Sequence, residues 1–326
     1  MSDGVEHHTI ETNGITMHLA TAGAPPDDKD APLIVLCHGF PELWYSWRYQ
    51  LPALAAEGYA VVAPDQRGFG KTDRPEPIDD YDIVHLTDDM AGLLDTFGRE
   101  KAIFVGHDWG SVVVWNMAQR LPERVEAVCG MSVAFTQRGQ MSTTALLRNV
   151  MGDRFFYMLY FQEPGVADAD MGKDPREAMR RFLSAIGAQP AGGQGLIPSL
   201  PAEGTTFWDW VPPVETLPPW LSEEALDVFA TEFERTGFTG GINWYRNFDR
   251  NWQINEPWGT RKVEMPAGFI AGREDPVLVM TPPERMEGWV TDLRVSEVID
   301  GAGHWVQQEK PDETNEALLR FLRTLR

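Results

Sequence analysis

The chain has 326 residues, a formal net charge of −21, a hydrophobic fraction of 43% and 12 Trp. That length suits one large domain or a domain carrying an insertion, and the apolar content is enough for a core, which excludes global disorder. The acidic excess argues against nucleic-acid backbones or anionic membrane surfaces as partners. Residues 1–8 lack the apolar core of a signal peptide, and no later run reaches transmembrane length, so a soluble cytoplasmic protein is expected. The His7-His8 pair has no Cys or further His nearby and reads as a solvated terminus, not a metal site. Residues 33–37 (LIVLC) and 59–63 (YAVVA) are continuously apolar, as strands buried on both faces are. Ile83, Leu86, Met90, Leu93, Leu94 and Phe97 share the spacing of one helix face. A strand over 101–105, a helix ending near Leu121 and a strand over 125–131 follow, an alternation that implies parallel βαβ units.

The alternation stops after about Phe135. From there to about Trp258 the chain is rich in Met, Arg, Pro and aromatics, with helical patches and no convincing buried strand. Gly192-Gly193-Gln194-Gly195 and the Pro212-Pro213 and Pro218-Pro219 pairs read as loops inside this insertion. Strand character returns at 267–271, followed by a helix over about 283–290 and a strand over 294–299. A C-terminal helix then aligns Ala317, Leu318, Phe321 and Leu322. Cys37 and Cys129 fall within predicted strands and read as buried small hydrophobes, not a disulfide. The expected fold is α/β: a mostly parallel twisted sheet flanked by helices, formed by residues 1–136 and 259–326, with a helical cap inserted over 137–258.

The chemistry concentrates at Gly106-His107-Asp108-Trp109-Gly110, where a strand meets a helix through a turn flanked by glycines. This is the setting of a nucleophile elbow, with Asp where an esterase carries Ser. A carboxylate is ionised near neutral pH and needs no base to become nucleophilic, so it suits attack on a saturated carbon. His38-Gly39-Phe40-Pro41 follows the first buried strand, where an α/β-hydrolase places one oxyanion donor; the two backbone N–H groups here would be those of Phe40 and Trp109. Asp275 follows the strand at 267–271 and His304 the last strand, which is the acid-then-histidine order of that fold. No carboxylate lies between Ala127 and Gly152, which favours Asp275 as the acid over the other common location. His38 is expected to brace its loop and His107 to point away from the cleft. Gly70-Lys71-Thr72 resembles the end of a phosphate-binding loop, but position 65, where the first glycine is required, is Asp65. Gly130-Met131-Ser132-Val133-Ala134 lacks the closing glycine of an esterase elbow.

With the elbow, HGFPE at 38–42, DQRGFGKT at 65–72, YFQEPG at 160–165, NWYRN at 243–247 and GHW at 303–305, the chain resembles the soluble epoxide hydrolases of the α/β-hydrolase superfamily from about Ile10 to the C-terminus. The resemblance implies two cap tyrosines that hydrogen-bond and protonate the epoxide oxygen. By motif position these are Tyr157 and Tyr245, with Tyr160 as local competitor to the first. Met158 stands where relatives often have Gln. Phe40, Trp109, Phe161 and Trp305 are expected to line an apolar pocket. The implied partners are a small apolar epoxide and water, with no metal or organic cofactor; the oligomeric state, monomer or homodimer, stays open. A haloalkane dehalogenase shares the Asp nucleophile and Trp109, but commonly has Asn where Phe40 stands and has no obvious use for two cap tyrosines. A non-catalytic binding protein of the same fold would be expected to have lost a triad member.

Overall fold

A computed structural model describes residues 4–188 and 200–326; the Gly192–Gly195 loop expectation lies outside them. Eight strands form one sheet: β1 (Glu6–Thr12), β2 (Ile15–Gly23), β3 (Leu33–Cys37), β4 (Ala60–Pro64), β5 (Ala102–His107), β6 (Val125–Met131), β7 (Ala267–Gly272) and β8 (Leu293–Ile299). Their spatial order is β1-β2-β4-β3-β5-β6-β7-β8. The first two pairings are antiparallel and the remaining five parallel.

The apolar runs are buried on both faces because alternate side chains point to opposite sides of the pleat. Leu33, Val35 and Cys37 of β3 join the core that includes α2 (Ile83–Thr96) and α3 (Trp109–Arg120). Ile34 and Leu36 join the opposite core, with α1 (Gln50–Ala56), α12 (Val306–Glu309) and α13 (Pro311–Arg323). Between β6 and β7 the described residues form no strand, only helices, turns and loops, with isolated bridges from Arg154 to Pro201 and from Val263 to Val290. These helices are α4 (Thr143–Met151), α5 (Tyr157–Tyr160), α6 (Val166–Met171), α7 (Pro175–Ile186), α8 (Phe207–Trp210), α9 (Glu223–Thr236), α10 (Thr239–Arg246) and α11 (Phe248–Ile254).

Two expectations change. His7 and His8 are exposed, but they are not a loose terminus: they lie in β1, where His7 Nδ1 is 3.0 Å from His18 Nε2 and His8 Nε2 is 3.0 Å from Thr21 Oγ1. The polar sequence of this mostly exposed edge strand hid it, although Asn13-Gly14, both with positive φ, is a strong two-residue hairpin signal. The helix expected over 283–290 shrinks to a single 3₁₀ turn, Pro283–Met286, because Gly288 at φ 74° breaks the helical path. The expected C-terminal helix is α13, which starts at Pro311 and buries Ala317, Leu318, Phe321 and Leu322. Among the described residues no helix is long and apolar enough to cross a membrane.

Candidate active site

At the C-terminal end of β5 the backbone turns sharply into α3, with Asp108 at the apex at φ 51°, ψ −119°. A non-glycine residue in that region is strained, and surrounding contacts must hold it there. The turn exists because its flanks are bare: a Cβ on Gly106 would lie 2.2 Å from Gly110 O, and one on Gly110 would lie 1.9 Å from Cys37 O. Behind the turn, Ser111 Oγ donates towards Gly106 O (2.7 Å) and Met131 O (2.8 Å), and accepts from Met131 N (2.8 Å).

The loop after β3 brings Gly39 so close that a Cβ there would lie 2.4 Å from Asp108 Oδ1. Phe40 N donates to that same oxygen at 2.8 Å. Trp109 opens α3, so its N–H has no acceptor within the helix. On the other side, His304 Nε2 lies 3.5 Å from Asp108 Oδ2, and His304 Nδ1 donates to Asp275 Oδ2 at 3.0 Å. Val277 N donates to Asp275 Oδ1 at 2.8 Å and fixes the carboxylate. The structure therefore brings Asp108, His304, Asp275 and Phe40 together from four separate loops. Burial alone would lower the His304 pKa; the charge of Asp275 and the contact with Asp108 outweigh it and hold the value well above 6.5.

The tyrosines approach from the inserted segment. Tyr157 opens α5 and Tyr245 lies near the end of α10, with ring centroids 5.8 Å apart. Tyr245 meets Phe40 (5.4 Å), Trp109 (5.2 Å) and Phe161 (5.1 Å) edge-on, and Tyr157 stacks on Trp210 at 5.2 Å. Burial raises both phenols, and the negative charge of Asp108 adds to it, so both keep their protons at neutral pH. Tyr160 faces elsewhere: its hydroxyl donates to Asp170 Oδ2 at 2.9 Å. Gln162 ties the two tyrosine helices by donating to Met158 O (2.8 Å) and Tyr245 O (3.0 Å), and Arg246 adds an ion pair to Asp168.

Trp305 packs on the rings of His304 (4.7 Å) and His107 (5.8 Å), and its indole donates to Leu183 O at 2.8 Å. It thus belongs to the support of the histidine loop. A cavity of about 320 Å³ opens beside Trp109, lined also by Val112, Trp115 and Phe248; Asp108, His304 and both tyrosines lie outside its lining.

Sequence reasoning missed Glu42 and the role of His107. His107 is fully buried, with Nδ1 2.6 Å from Glu42 Oε2 and Nε2 2.7 Å from the carbonyl of His304. The ring is thus held at one nitrogen by the Glu42 carboxylate and at the other by the His304 carbonyl. Burial would raise the Glu42 carboxyl, but the charge and hydrogen bond of His107 overcome it and hold the pKa at about 2. Glu42 Oε2 also accepts from Gly39 N at 2.8 Å, which joins the loop after β3 to the histidine loop through one buried pair. The signal was present in HGFPE, since a carboxylate directly after a buried strand needs a partner. His38 Nδ1 donates to Gly39 O (2.9 Å) and Nε2 accepts from Gln66 N (3.0 Å), so it braces its loop.

Residues 32–311 match the family model described as alpha/beta hydrolase fold. Epoxide hydrolase A of Mycobacterium tuberculosis is 49% identical over 96% of each chain, and Epoxide hydrolase 2 of Siraitia grosvenorii 40% identical over 98% of each. Among solved structures, Epoxide Hydrolase A from Mycobacterium thermoresistibile superposes with a TM-score of 0.91 at 49% identity, covering 98% of both chains. An epoxide hydrolase from Vigna radiata reaches 0.88 at 36% identity, covering 99% of both.

Proposed function

Because the chain belongs to the epoxide hydrolases of the α/β-hydrolase fold, we propose that it converts small apolar epoxides to vicinal diols through an ester formed on Asp108. The observation that carries this reading is an elbow carboxylate with His304 on one oxygen and the Phe40 amide on the other, beneath two protonated phenols, Tyr245 buried and Tyr157 half-buried. Residues 1–136 and 259–326 act as the catalytic core, and residues 137–258 as the cap that supplies the acids.

Asp108 Oδ1 already accepts from Phe40 N, so it becomes the ester carbonyl oxygen and Oδ2 attacks. Oδ2 forms a bond to one ring carbon, that carbon's bond to the epoxide oxygen breaks, and the oxygen takes a proton from the Tyr157 and Tyr245 pair. An epoxide oxygen is a poor leaving group as an alkoxide, which is why push and pull act together. Ester formation removes the charge of Asp108. Since that carboxylate helps hold His304 protonated, its loss lowers the histidine pKa; the imidazolium gives its proton to the phenolate left by ring opening, and Nε2 becomes a base when a base is needed. His304 then takes a proton from water, and the oxygen adds to the Asp108 carbonyl carbon. The Phe40 and Trp109 N–H groups stabilise the oxyanion, and Asp275 stabilises the imidazolium. Collapse passes the proton of the added oxygen to the departing alkoxide, which releases the diol, regenerates the carboxylate and leaves His304 protonated as at the start.

The test is a His304→Gln variant incubated with excess epoxide. Intact-mass spectrometry should show protein plus one substrate, and peptide mapping should place the adduct on Asp108. Substrate binding without any adduct would overturn the two-step reading.

A further inference from the structure

The histidine loop and the inserted segment meet at one half-buried carboxylate that the mechanism leaves without a task. Glu309 ends α12, and its Oε2 accepts from Gly303 N (2.9 Å) and Ala188 N (2.8 Å), while Oε1 accepts from Trp305 N (2.9 Å). Two of those donors flank His304; the third follows α7. Two further bonds cross the same junction: His304 N to Ile186 O at 3.2 Å, and the Trp305 indole to Leu183 O at 2.8 Å. The fit leaves no slack, because a Cβ on Gly303 would lie 2.2 Å from Ala188 N and 2.4 Å from Gly187 C. On its other side α7 presents Phe182 to Phe40 (6.0 Å) and Tyr157 (6.4 Å). The aromatic wall around the tyrosines and the loop holding the base are therefore attached to the same helix.

We propose that Glu309 is a positioning residue that latches the inserted segment onto the histidine loop and so sets His304 for hydrolysis of the Asp108 ester. The inference rests on the two-step reading above. Three N–H groups converge on one carboxylate, whose two oxygens accept only. A glutamine would turn an NH₂ towards at least one of those donors, and a buried donor without an acceptor is costly. The first half-reaction asks no proton transfer of His304, so a small displacement of the loop leaves it nearly intact. The second half-reaction needs Nε2, water and the ester carbon in line, and misplacement of a group supported in this way costs about 10–100-fold.

Rapid-quench intact-mass spectrometry of the full chain with styrene oxide separates the two steps. For Glu309→Gln, alkylation should stay within about 3-fold of wild type while ester hydrolysis slows about 10–100-fold. The adduct should then accumulate in the steady state, with kcat and KM falling together and kcat/KM preserved. Ala188→Pro reaches the same junction without touching Glu309; it removes one N–H, and Gly187 at φ −67°, ψ 172° accepts a following proline. It should slow the same step, and it keeps the proposal testable if Glu309→Gln does not fold. Equal slowing of both steps, or unchanged hydrolysis in a folded variant, would overturn the latch. His304→Gln on the same instrument separates the two failures: no adduct there sinks the two-step reading, whereas an adduct there with normal hydrolysis in Glu309→Gln sinks only the latch.

Discussion

The two halves of the site solve opposite electrostatic problems. At the strand ends, Asp108, His304, Asp275, Glu42 and His107 are buried titratable groups, each held by backbone N–H groups or by a partner of opposite charge. In the inserted segment, Tyr157 and Tyr245 sit among aromatic rings, and the same burial keeps them neutral. Low dielectric penalises whichever form carries charge, so a nucleophile and a base need counter-charges, whereas a proton donor needs only to be surrounded by apolar groups. That difference explains why the ionic half is built on loops between strands, which offer free backbone donors, and the neutral half on packed helices.

The largest blow to the neutral half is Tyr157→Phe/Tyr245→Phe. Rings and packing survive, both protons are lost, and epoxide turnover should fall by ~10²–10⁴-fold in single-turnover alkylation, with either single change costing less. The corresponding break in the ionic half is Glu42→Ala, which leaves the buried His107 ring without its carboxylate partner. Chemical denaturation at pH 7 should show a loss of about 3–5 kcal/mol. The sign with pH follows from a folded pKa depressed to about 2 from 4.5. Its stabilisation is fully present above about pH 4.5 and disappears as pH falls through about 2, so wild type and variant should converge in acid.

A smaller effect sharpens the link between the halves. Asp108→Asn removes one of the two charges that hold His304 protonated, so NMR titration should find the imidazole pKa below that of wild type. An unchanged value would mean that ester formation does not switch the base on. The smallest effect separates neighbouring tyrosines. Tyr160→Phe removes a hydroxyl engaged by Asp170, so it should cost about 1 kcal/mol of stability in thermal or chemical unfolding and leave turnover within about 2-fold. A large loss of turnover would move the acid role from Tyr157 to Tyr160.

Much of the molecule was legible before any coordinates. Buried parallel strands announce themselves as unbroken apolar runs, and the elbow as glycines around Asp108, because both are local patterns. Asp275 and His304 were legible through the order in which loops leave the strands, which a parallel sheet converts into proximity. What stayed hidden is mostly which groups meet. β1 is polar because it faces water, and its only local cue is the Asn13-Gly14 turn that pairs it with β2. Tyr157 and Tyr160 occupy the same short helix, and only the packing that gives one of them Asp170 as a partner tells them apart. Glu42 and His107 are 65 residues apart, and Glu309 gathers donors from either side of His304 and from beyond α7. A sequence specifies each side chain's chemistry and its local backbone; which buried charge meets which partner is decided when the loops and the inserted helices close over one another and exclude water.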